Sequence, residues 1–437
     1  MSKMEILKKE LVKYDYVRLA LCDLNGMSCG QVIRGCHAAK YLEKGLTLFE
    51  GTLALGPRGY PVIVSHENNR CLGNMNIFPD PNTLRPIPWA PDGVKVVEML
   101  CESRWMKDNT PQLACPRYVA RKQFQRLEDL GFDLYSGHEI EFTILDETLK
   151  PVFYGADAYS HKLMNKHYKI IFHFDKNFQD SKIDVERYHS ECANGMFEAV
   201  TKPKYGIESL DMAFNLQEGL LEMADLTNCT VTFMSHLADR EMGQSKHFNF
   251  SLWTKSGENV FYDVDAADKL SVIAKQFIAG VLKHSKALCA FANPTVNCYR
   301  NIGKFLFASS VNWGIEDRTA CVRAKNDGPL RTYIENRLPS SKSNVYLVAA
   351  STIAAGLDGV IKKMECPPPG KIEHNELLPR SLSEALDELE KDEELCDALG
   401  KELVTWFVQS KRDGEIAKYE GVETDEERFA IEKKEYL

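Results

Sequence analysis

Residues 132–145 read FDLYSGHEIEFTIL, an apolar and β-prone run that carries two closely spaced glutamates. The pattern predicts a strand, and because side chains alternate along a strand, Glu139 and Glu141 project from the same face. Two carboxylates on one face repel each other, and partial burial makes the repulsion stronger. We therefore expect a positive partner for this pair elsewhere in the chain.

A second pair of glutamates lies within residues 191–198, ECANGMFE. Asn194-Gly195 is a strong signal for a two-residue hairpin turn. Counting outward from that turn places Glu191 opposite Glu198, which again brings two carboxylates together on one face. Taken alone, this pattern is more typical of a solvated hairpin with two exposed glutamates.

A third stretch, GQSKHFNFSLW at residues 243–253, alternates polar and apolar side chains. His247, Asn249 and Ser251 share one face of the predicted strand, while the apolar residues between them share the other face, which we expect to meet the core. The polar face could simply meet water. A single histidine on such a strand is more often structural than a metal ligand.

The fourth stretch is RTYIENRLP, residues 331–339, in which Glu335 and Arg337 share one face of a predicted strand. By itself this pair is typical of a surface ion pair. Together the four stretches supply six candidate metal ligands: Glu139, Glu141, Glu191, Glu198, His247 and Glu335. Carboxylates with one imidazole suit Mg²⁺ or Mn²⁺. Six ligands fit two ions with three protein ligands each, which leaves positions for phosphate and water.

The overall composition is that of a soluble globular protein, with 44% hydrophobic and 27% charged residues among 437. The formal net charge of -9 argues against a nucleic acid partner. No apolar run approaches the ~20 residues that span a bilayer, so we expect no membrane partner. The 13 cysteines form no CxxC pair, which predicts reduced thiols in a cytoplasmic protein.

Changes in residue pattern divide the chain near residues 105–115. We predict a smaller N-terminal domain of short strands over residues 1–107 and a larger domain over residues 108–437 that mixes long helices with strands. At the start of the larger domain, Pro116 opens a predicted helix that ends at Gly131.

Six ordered motifs resemble those of the glutamine synthetase family in its bacterial, type I form: GHEIEF, ECANGMFE, TVTFMSHL, NPTVNCYR, WGIEDRTACVR and YIENRLPSSKSNVYLVAASTIAAGLDGV. LCDLNG resembles the family's N-terminal signature, so the likeness covers nearly the whole chain. The resemblance implies an α+β fold, in which an N-terminal β-grasp domain precedes an antiparallel sheet bent into a funnel with helices around it. It also implies a double-ring homo-oligomer, usually a dodecamer, with each active site between neighbouring subunits.

The resemblance further implies a reaction and a ligand set. Family members use ATP to phosphorylate the γ-carboxylate of glutamate, and ammonia then displaces the phosphate. All six metal ligands are present, in two sets of three: Glu141, Glu191 and Glu198 for one ion, and Glu139, His247 and Glu335 for the other. Two Mg²⁺ or Mn²⁺ ions there would neutralise the phosphates and the substrate carboxylate.

Positions that contact the substrates in the family are matched as well: Gly243, Arg300 and Arg337 for the amino acid, Ser251 and Arg323 for the nucleotide, Arg318 for the transferring phosphoryl group and Glu50 for ammonium. Glu50 replaces a family aspartate, which keeps the charge and adds one methylene. Arg300 enters only as a substitute, because the family arginine that clamps the substrate carboxylate is Asn301 here. On a strand, Arg300 would project from the face opposite to Asn301.

The segment expected to cover the site departs from the family most. The family flap contains a glutamate that closes the site and helps to deprotonate ammonium, whereas residues 302–314 read IGKFLFASSVNWG and contain no acid. Leu306 or Phe307 takes the place of that glutamate, and neither side chain accepts a proton. Asn249 replaces the second histidine of the family's His-x-His strand.

These departures leave three interpretations open. The first is a ring-forming scaffold with weak or no glutamate–ammonia ligase activity, with cytoskeletal proteins as partners. The second is an ATP-dependent γ-glutamyl ligase that joins glutamate to an amine larger than ammonia. The third is an ordinary glutamine synthetase in which Glu50 and Arg300 compensate. Loss of one charge-stabilising donor typically costs ~10²–10³ in rate, which favours the first interpretation.

Overall fold

The computed structural model describes residues 3–56, 62–66, 69–155, 157–237, 242–370 and 376–437. Strands and helices form an α+β fold that contains two large sheets. Across the described ranges we find no helix with the length and apolar character needed to cross a bilayer.

The first large sheet has six strands and comes from the N-terminal part of the chain. Its strands, together with a short separate hairpin (β4 and β5), are β1 (Tyr16–Cys22), β2 (Ser28–Arg34), β3 (Leu46–Phe49), β4 (Ser65–His66), β5 (Asn69–Arg70), β6 (Asn74–Pro79), β7 (Arg85–Pro86) and β8 (Val96–Trp105). The order is β2-β1-β8-β6-β3, with β7 beside β8, and β1 and β8 run parallel.

The second large sheet has nine strands and carries the predicted ligands. Its strands are β9 (Phe132–Leu145), β10 (Val185–Ser190), β11 (Met196–Thr201), β12 (Lys204–Tyr205), β13 (Thr230–Thr232), β14 (Lys246–Thr254), β15 (Trp313–Ile315), β16 (Val322–Asn326) and β17 (Thr332–Asn336). The order is β10-β11-β9-β14-β17-β16-β15, with β12 and β13 also paired to β9. Neighbouring strands are antiparallel except β15 and β16.

Twelve α-helices lie in the described ranges. They are α1 (Lys3–Leu11), α2 (Gly35–Ala38), α3 (Tyr41–Lys44), α4 (Pro116–Asp129), α5 (His161–Asp180), α6 (Ile207–Leu226), α7 (Val272–Ala292), α8 (Val345–Ile361), α9 (Leu382–Lys391), α10 (Glu393–Leu399), α11 (Lys401–Gly414) and α12 (Asp425–Tyr436). Helix α4 begins at Pro116 as predicted. The boundary predicted at residues 107–108 falls between β8 and α4, and the division into two domains stays a prediction.

The register of the second sheet brings the predicted ligands together. Strand β9 is central, and Glu139 lies opposite His247 on β14 while Glu141 lies opposite Glu198 on β11. Glu335 on β17 is one further strand away, beyond β14. The opposite face of the sheet is apolar as predicted: Ile140, Phe142, Phe248, Phe250 and Leu252 are buried there. This burial keeps the carboxylate face directed away from the core.

The predicted register of the glutamate hairpin is wrong by two residues. Strand β10 places His189, not Glu191, opposite Glu198. The connection is longer than two residues because Gly195 is held by the neighbouring strand, where Ile144 N donates to Gly195 O at 2.9 Å. A Cβ at Gly195 would lie 2.7 Å from the Ile144 carbonyl oxygen. A shift of two residues preserves the face, so Glu191 and Glu198 still project to the same side.

Candidate functional site

The carboxylate face of the second sheet lines a cavity of about 670 Å³. The cavity is lined by five of the six predicted metal ligands, Glu139, Glu141, Glu191, Glu198 and His247. The sixth ligand, Glu335, does not line the cavity, but its Oε1 lies 3.3 Å from His247 Nδ1. Glu191 and Glu198 are buried, which excludes the solvated hairpin that the isolated motif favours.

The first group of ligands, cluster 1, consists of Glu139, His247 and Glu335. His247 Nδ1 lies 3.3 Å from an oxygen of Glu139 and 3.3 Å from an oxygen of Glu335. Arg337 donates to Glu335 Oε1 at 2.5 Å, and Arg323 donates to Glu335 Oε2 at 3.1 Å. Each carboxylate of cluster 1 therefore has a partner supplied by the chain itself.

The pKa of Glu139 reflects this compensation. Burial alone would raise the pKa, but the hydrogen bond with His247 and the charges of Arg187 and Arg337 lower it to about 2. Arg187, whose side chain is half exposed, lies 3.7 Å from Glu139 and adds a positive charge on the solvent side of this carboxylate. The charged form of the Glu139 carboxylate is thus favoured in the folded chain.

The second group, cluster 2, consists of Glu141, Glu191, Glu198 and His189. His189 Nε2 lies 3.0 Å from Glu198 Oε1, and its Nδ1 lies 3.3 Å from Glu191 Oε1. Ser245 N donates to Glu141 Oε2 at 2.5 Å. Glu191 and Glu198 share one imidazole, Glu141 has a backbone donor, and within the described part of the chain none of the three has an arginine ion pair.

The pKa values in cluster 2 are shifted in the opposite direction. Burial raises the pKa of Glu141 well above its ordinary value, and the charges of Glu191 and Glu198 raise it further. Burial and the charge of Glu198 likewise raise the pKa of Glu191. Burial would lower the pKa of His189, but its hydrogen bond with Glu198 raises it. Cluster 2 therefore carries an excess of negative charge that a cation would relieve.

Sequence reasoning missed His189. The residue precedes the ECANGMFE motif and, under the two-residue turn, has no place opposite a glutamate. The signal that could have found it is its spacing from Glu191, because residues two apart on a strand share a face. The ring of His189 also lies 4.6 Å from the ring of Tyr159 on the cavity wall.

Both clusters have donors that suit a divalent cation. Ligand atoms within 4.8 Å of one another come from Glu139, His247 and Glu335 in cluster 1, and from His189, Glu191 and Glu198 in cluster 2. Carboxylate oxygens with one imidazole fit Mg²⁺ or Mn²⁺. Glu141 is not in the second of these groups, but burial and the nearby charges of Glu191 and Glu198 raise its pKa, so the three carboxyl groups interact. Ions bound there would neutralise phosphate and carboxylate groups.

Three arginines predicted from the resemblance line the same cavity: Arg318, Arg323 and Arg337. Arg323 is buried and Arg337 is partly buried, and both pair with Glu335, whereas Arg318 is exposed. A guanidinium group that is exposed in a cavity can bind an anionic ligand in bidentate fashion. Phosphate binding by these residues stays a prediction.

Ser251 lines an adjoining cavity of about 400 Å³, which shares Arg187 and Lys325 with the first. Its hydroxyl accepts a hydrogen bond from Trp253 Nε1 at 2.8 Å. Asn249 lines this second cavity too, and its buried Oδ1 has no hydrogen-bond partner among the described residues. The two connected cavities have the polar groups that a nucleotide would need.

Arg300 does not line the cavity in this structure, and the substrate contact predicted for it stays a prediction. Arg300 Nε lies 2.9 Å from Glu432, its Nη2 lies 2.8 Å from Asp425, and the guanidinium stacks near the ring of Phe429 on α12. The segment is also a 3₁₀ helix, Val296–Arg300, rather than a strand. Arg300 could therefore contact a substrate carboxylate only by breaking its ion pairs with two carboxylates of α12.

Asn301 is buried, and its amide is fully engaged. Its Oδ1 lies 2.8 Å from His236 Nδ1, and its Nδ2 donates to Ser235 O at 2.9 Å. A Cβ added to Gly243 would lie 2.1 Å from Asn301 Nδ2. Asn301 thus fills the space beside Gly243 instead of reaching into the cavity.

Glu50 lies in the 3₁₀ helix Glu50–Ala54, near the first sheet. Its carboxylate accepts a hydrogen bond from Gly73 N at 2.7 Å and does not line the cavity of its own chain. Any contact between Glu50 and a cavity of this kind would need a second copy of the chain.

The acid-free segment lines the cavity with apolar side chains. Phe305, Leu306 and Phe307 all contribute to the wall. Phe305 is 69% exposed and has a φ of 44°, in the left-handed region that only a few non-glycine residues adopt. The segment therefore offers no proton acceptor where the family flap has one.

Comparison with known proteins places these features in a family. A family model for the glutamine synthetase catalytic domain matches residues 113–430. Lengsin of Rattus norvegicus is 30% identical over 98% of this chain and 77% of its own length. The glutamine synthetase of Thermotoga maritima is 31% identical over 93% of each chain.

Solved structures agree at the level of fold. A crystal structure of a novel glutamine synthase homolog matches with a TM-score of 0.86 at 23% identity, over 97% of this chain and 99% of the other. Apo GmaS matches with a TM-score of 0.84 at 24% identity, over 98% of both chains. By its fold, its matched catalytic-domain residues and its full-length relatives, this chain belongs to the glutamine synthetase family.

Proposed function

We propose that this chain binds ATP and two Mg²⁺ or Mn²⁺ ions in its cavities, makes glutamine from ammonia weakly or not at all, and serves a lengsin-like structural role. The observation that carries the proposal is the side chain at position 301. Asn301 hydrogen-bonds to His236 and Ser235 beside Gly243, so position 301 supplies no guanidinium to clamp the substrate carboxylate. Loss of such a charged donor typically costs ~10²–10³ in rate.

The flap supports the same conclusion. Ammonia is largely protonated at neutral pH, so its attack on an acyl phosphate requires a proton acceptor. Leu306 and Phe307 on the cavity wall cannot accept one. Glu50, the other acid that the resemblance assigns to ammonium, does not line the cavity of its own chain.

The remaining residues favour retained binding. Cluster 1 and cluster 2 would each hold one ion, which would neutralise the phosphates of ATP. Arg318 and Arg323 would contact the transferring phosphoryl group and the nucleotide, with Ser251 in the adjoining cavity. Arg337 and the backbone at Gly243 would contact glutamate.

We also propose assembly into a cytoplasmic double ring, most simply a dodecamer, in which the β-grasp type N-terminal domain over residues 1–107 completes the cavity of the neighbouring catalytic domain over residues 108–437. Placement of Glu50 outside the cavity of its own chain supports this arrangement. Cytoskeletal proteins are the partners we propose for the ring.

The test is ADP release by the purified protein with ATP, Mg²⁺, glutamate and ammonia. We expect a rate close to that without ammonia, together with a rise in melting temperature when ATP and Mg²⁺ are added. Turnover with ammonia at a rate well above that background would contradict the proposal.

A gain-of-function series sharpens this test. Leu306→Glu and Phe307→Glu each place an acid on the cavity wall, and one of them should increase ammonia-dependent ADP release. Ser309→Glu is the matched control, because Ser309 lies in the same segment but does not line the cavity. Equal rates in all three variants would show that the flap acid is not what limits the reaction.

A second function is favoured by the composition of the cavity wall: an ATP-dependent γ-glutamyl ligase that joins glutamate to an amine larger than ammonia. Phe305, Leu306 and Phe307 line the wall where the family flap carries a glutamate, and together they present an apolar surface that an organic group could contact. The same assay, run with organic amines in place of ammonia, tests it. No ADP release with any amine would exclude this function.

A further inference from the structure

A third, much smaller cavity of about 10 Å³ shares no lining residue with the two cavities described above. Five segments of the chain line it: residues 25–27, residues 294–295, Lys342 before α8, Lys411 on α11 and Tyr436 on α12. A volume of about 10–15 Å³ is the least that holds one water molecule. Only a water molecule or a monoatomic ion therefore fits, and phosphates and carboxylates are too large.

Two lysines line this cavity, and neither has a carboxylate partner among the described residues. Lys411 is 3% exposed, and Asn25 Oδ1, at 2.6 Å from Lys411 Nζ, is its one oxygen acceptor there. Lys342 Nζ lies 3.9 Å from the sulfur of Met27 and 5.4 Å from the ring centroid of Tyr436. Each ammonium group has three hydrogens to donate. Most of these donors therefore still need an acceptor.

Lys246 shows how the same fold satisfies a buried lysine without a ligand. Its Nζ donates to Gln217 Oε1 at 2.5 Å and to Ser343 O at 2.8 Å, and it does not line the cavity. Lys342 has no such oxygen acceptor in the described ranges, and a buried charge without a partner is strongly destabilising. The contrast indicates that the lysines of the cavity face a ligand.

The acids whose charges reach the two lysines are Asp23, Glu218 and Glu415, and in the part of the chain that the structure describes none of them forms an ion pair with either lysine. Glu415 accepts a hydrogen bond from Tyr436 Oη at 2.6 Å. Asp23 Oδ1 accepts from two backbone N–H groups of the turn at residues 25–27, at 2.9 and 2.8 Å. Asp23 and Glu415 are thus engaged with other donors.

The balance of charge around the cavity is positive at neutral pH. Burial raises the pKa of Asp23 to about 7 and that of Glu218 to about 8, so these acids are partly or mostly protonated. Burial also lowers the pKa of Lys342, and it lowers that of Lys411 to about 8, which leaves Lys411 mostly charged at pH 7. An anion beside both lysines would favour their charged forms.

We propose that this cavity binds one chloride ion between the ammonium groups of Lys342 and Lys411. The volume limits the ligand to a single atom, and the two cations select an anion over a metal ion. A water molecule would leave both charges unpaired. The ion would join the turn at residues 25–27 to the loop before α8 and to α11 and α12, and so stabilise the contact between the N-terminal strands and the helices of the larger domain.

Long-wavelength anomalous diffraction locates the ion in the whole chain crystallised with chloride. We expect a peak within hydrogen-bonding distance of Lys342 Nζ and Lys411 Nζ, distinct from the peak of the Met27 sulfur, which serves as an internal reference. Crystals grown with gluconate in place of chloride should lose the first peak and keep the second. A water molecule without anomalous signal at this position would overturn the inference.

Thermal unfolding links the ion to the lysines in solution. At constant ionic strength, replacing gluconate by chloride should raise the melting temperature in a saturable way. Lys342→Met should raise the apparent Kd for chloride at least about tenfold, which corresponds to ~1.4 kcal/mol. Lys401→Met is the matched control, because Lys401 is an exposed lysine of α11 that does not line the cavity. An equal response to chloride in Lys342→Met and the parent chain would overturn the inference.

The diffraction measurement uses the parent chain, so it decides the question even if Lys342→Met does not fold. Neither measurement uses ATP, glutamate or an amine. The outcome is therefore independent of the function proposed above.

Discussion

Cluster 1 and cluster 2 use the same kinds of ligand, but their surroundings differ. In cluster 1 two arginines donate to Glu335, and the pKa of Glu139 is lowered to about 2. In cluster 2 His189 pairs with Glu191 and Glu198, and the pKa of Glu141 is raised by burial and by its neighbours. The two clusters lie side by side on one sheet.

The difference shows that identical ligand chemistry can have opposite effects on stability. The carboxylates of cluster 1 are paired with cationic side chains of the same chain. Removing one of these carboxylates leaves the arginines without an ion-pair partner. Cluster 2 lacks compensation, so removing one of its carboxylates relieves repulsion. A bound metal ion should consequently stabilise cluster 2 more than it stabilises cluster 1.

The largest effect should come from Glu335→Gln in metal-free protein. The change leaves Arg323 and Arg337 without their shared carboxylate, and breaking a buried ion pair costs about 3–5 kcal/mol. Urea unfolding measures the loss. Glu316→Gln is the control, because Glu316 also pairs with Arg323 but is half exposed, and exposed pairs contribute about 0–1 kcal/mol. Equal losses in both variants would contradict the compensation that we assign to cluster 1.

Binding of Mn²⁺ should stabilise the protein by nearly as much as Glu335→Gln destabilises it. At 100 to 1,000 times its Kd, a ligand that binds only the folded state adds about 2.7–4.1 kcal/mol. The rise in melting temperature over a chelator-treated sample measures this gain. Glu198→Gln should lose more of the gain than Glu139→Gln, because cluster 2 lacks other cations. If chelation leaves the melting temperature unchanged, the assignment of metal ions to both clusters is refuted.

A third group of similar residues provides an internal comparison. His284 lies 3.0 Å from Asp358 and 2.6 Å from Asp392, and Lys283 and Lys362 lie 3.1 and 2.8 Å from Asp358. Because the lysines already pair with Asp358 and His284 pairs with Asp392, Mn²⁺ should not stabilise the protein through this group. His284→Gln should cost about 1.5–3 kcal/mol, as is typical of hydrogen bonds to charged groups.

The loss in His284→Gln should depend on pH. Burial would lower the pKa of His284, but its interactions with Asp392 and Asp358 raise it above 6.5. A raised pKa means that the contribution is complete below pH 6.5 and disappears as the pH rises through the folded value. Unfolding at pH values on both sides of this range measures the change. A pH-independent loss would indicate that packing alone explains the variant.

The smallest effect should be a gain. Glu141 lies opposite Glu198, and removing one of two opposed like charges is worth about 0.2–1 kcal/mol. Glu141→Gln should therefore stabilise metal-free protein, as measured by urea unfolding at neutral pH. The same change should reduce the stabilisation by Mn²⁺. A loss of stability without metal would contradict the repulsion that we assign to cluster 2.

The contributions of the two clusters to folding stability should change in opposite directions as the pH rises. Because the pKa values of Glu141 and Glu191 are raised above 4.5, their contribution is present at low pH and is lost as the pH rises above 4.5 through the folded values. Glu139, with a pKa of about 2, contributes above pH 4.5 and loses that contribution as the pH falls. Stability curves of Glu141→Gln and Glu139→Gln against the parent chain separate the two.

Local sequence patterns predicted much of the site. Alternation along β9, β14 and β17 placed Glu139, His247 and Glu335 on the face opposite the buried phenylalanines, as the structure confirms. Such patterns are reliable because side-chain direction on a strand follows from the backbone alone. The family resemblance identified residues 302–314 as a flap without its acid, and three apolar side chains of this segment do line the cavity.

The sequence by itself determined which residues share a face, whereas the tertiary structure decided which of them meet. The pairing of Gly195 with β9 set the hairpin register and brought His189 between two glutamates. Contacts with α12 turned Arg300 away from the cavity. Both outcomes depend on hydrogen bonds and ion pairs between segments far apart in the chain, and no local periodicity encodes such partners.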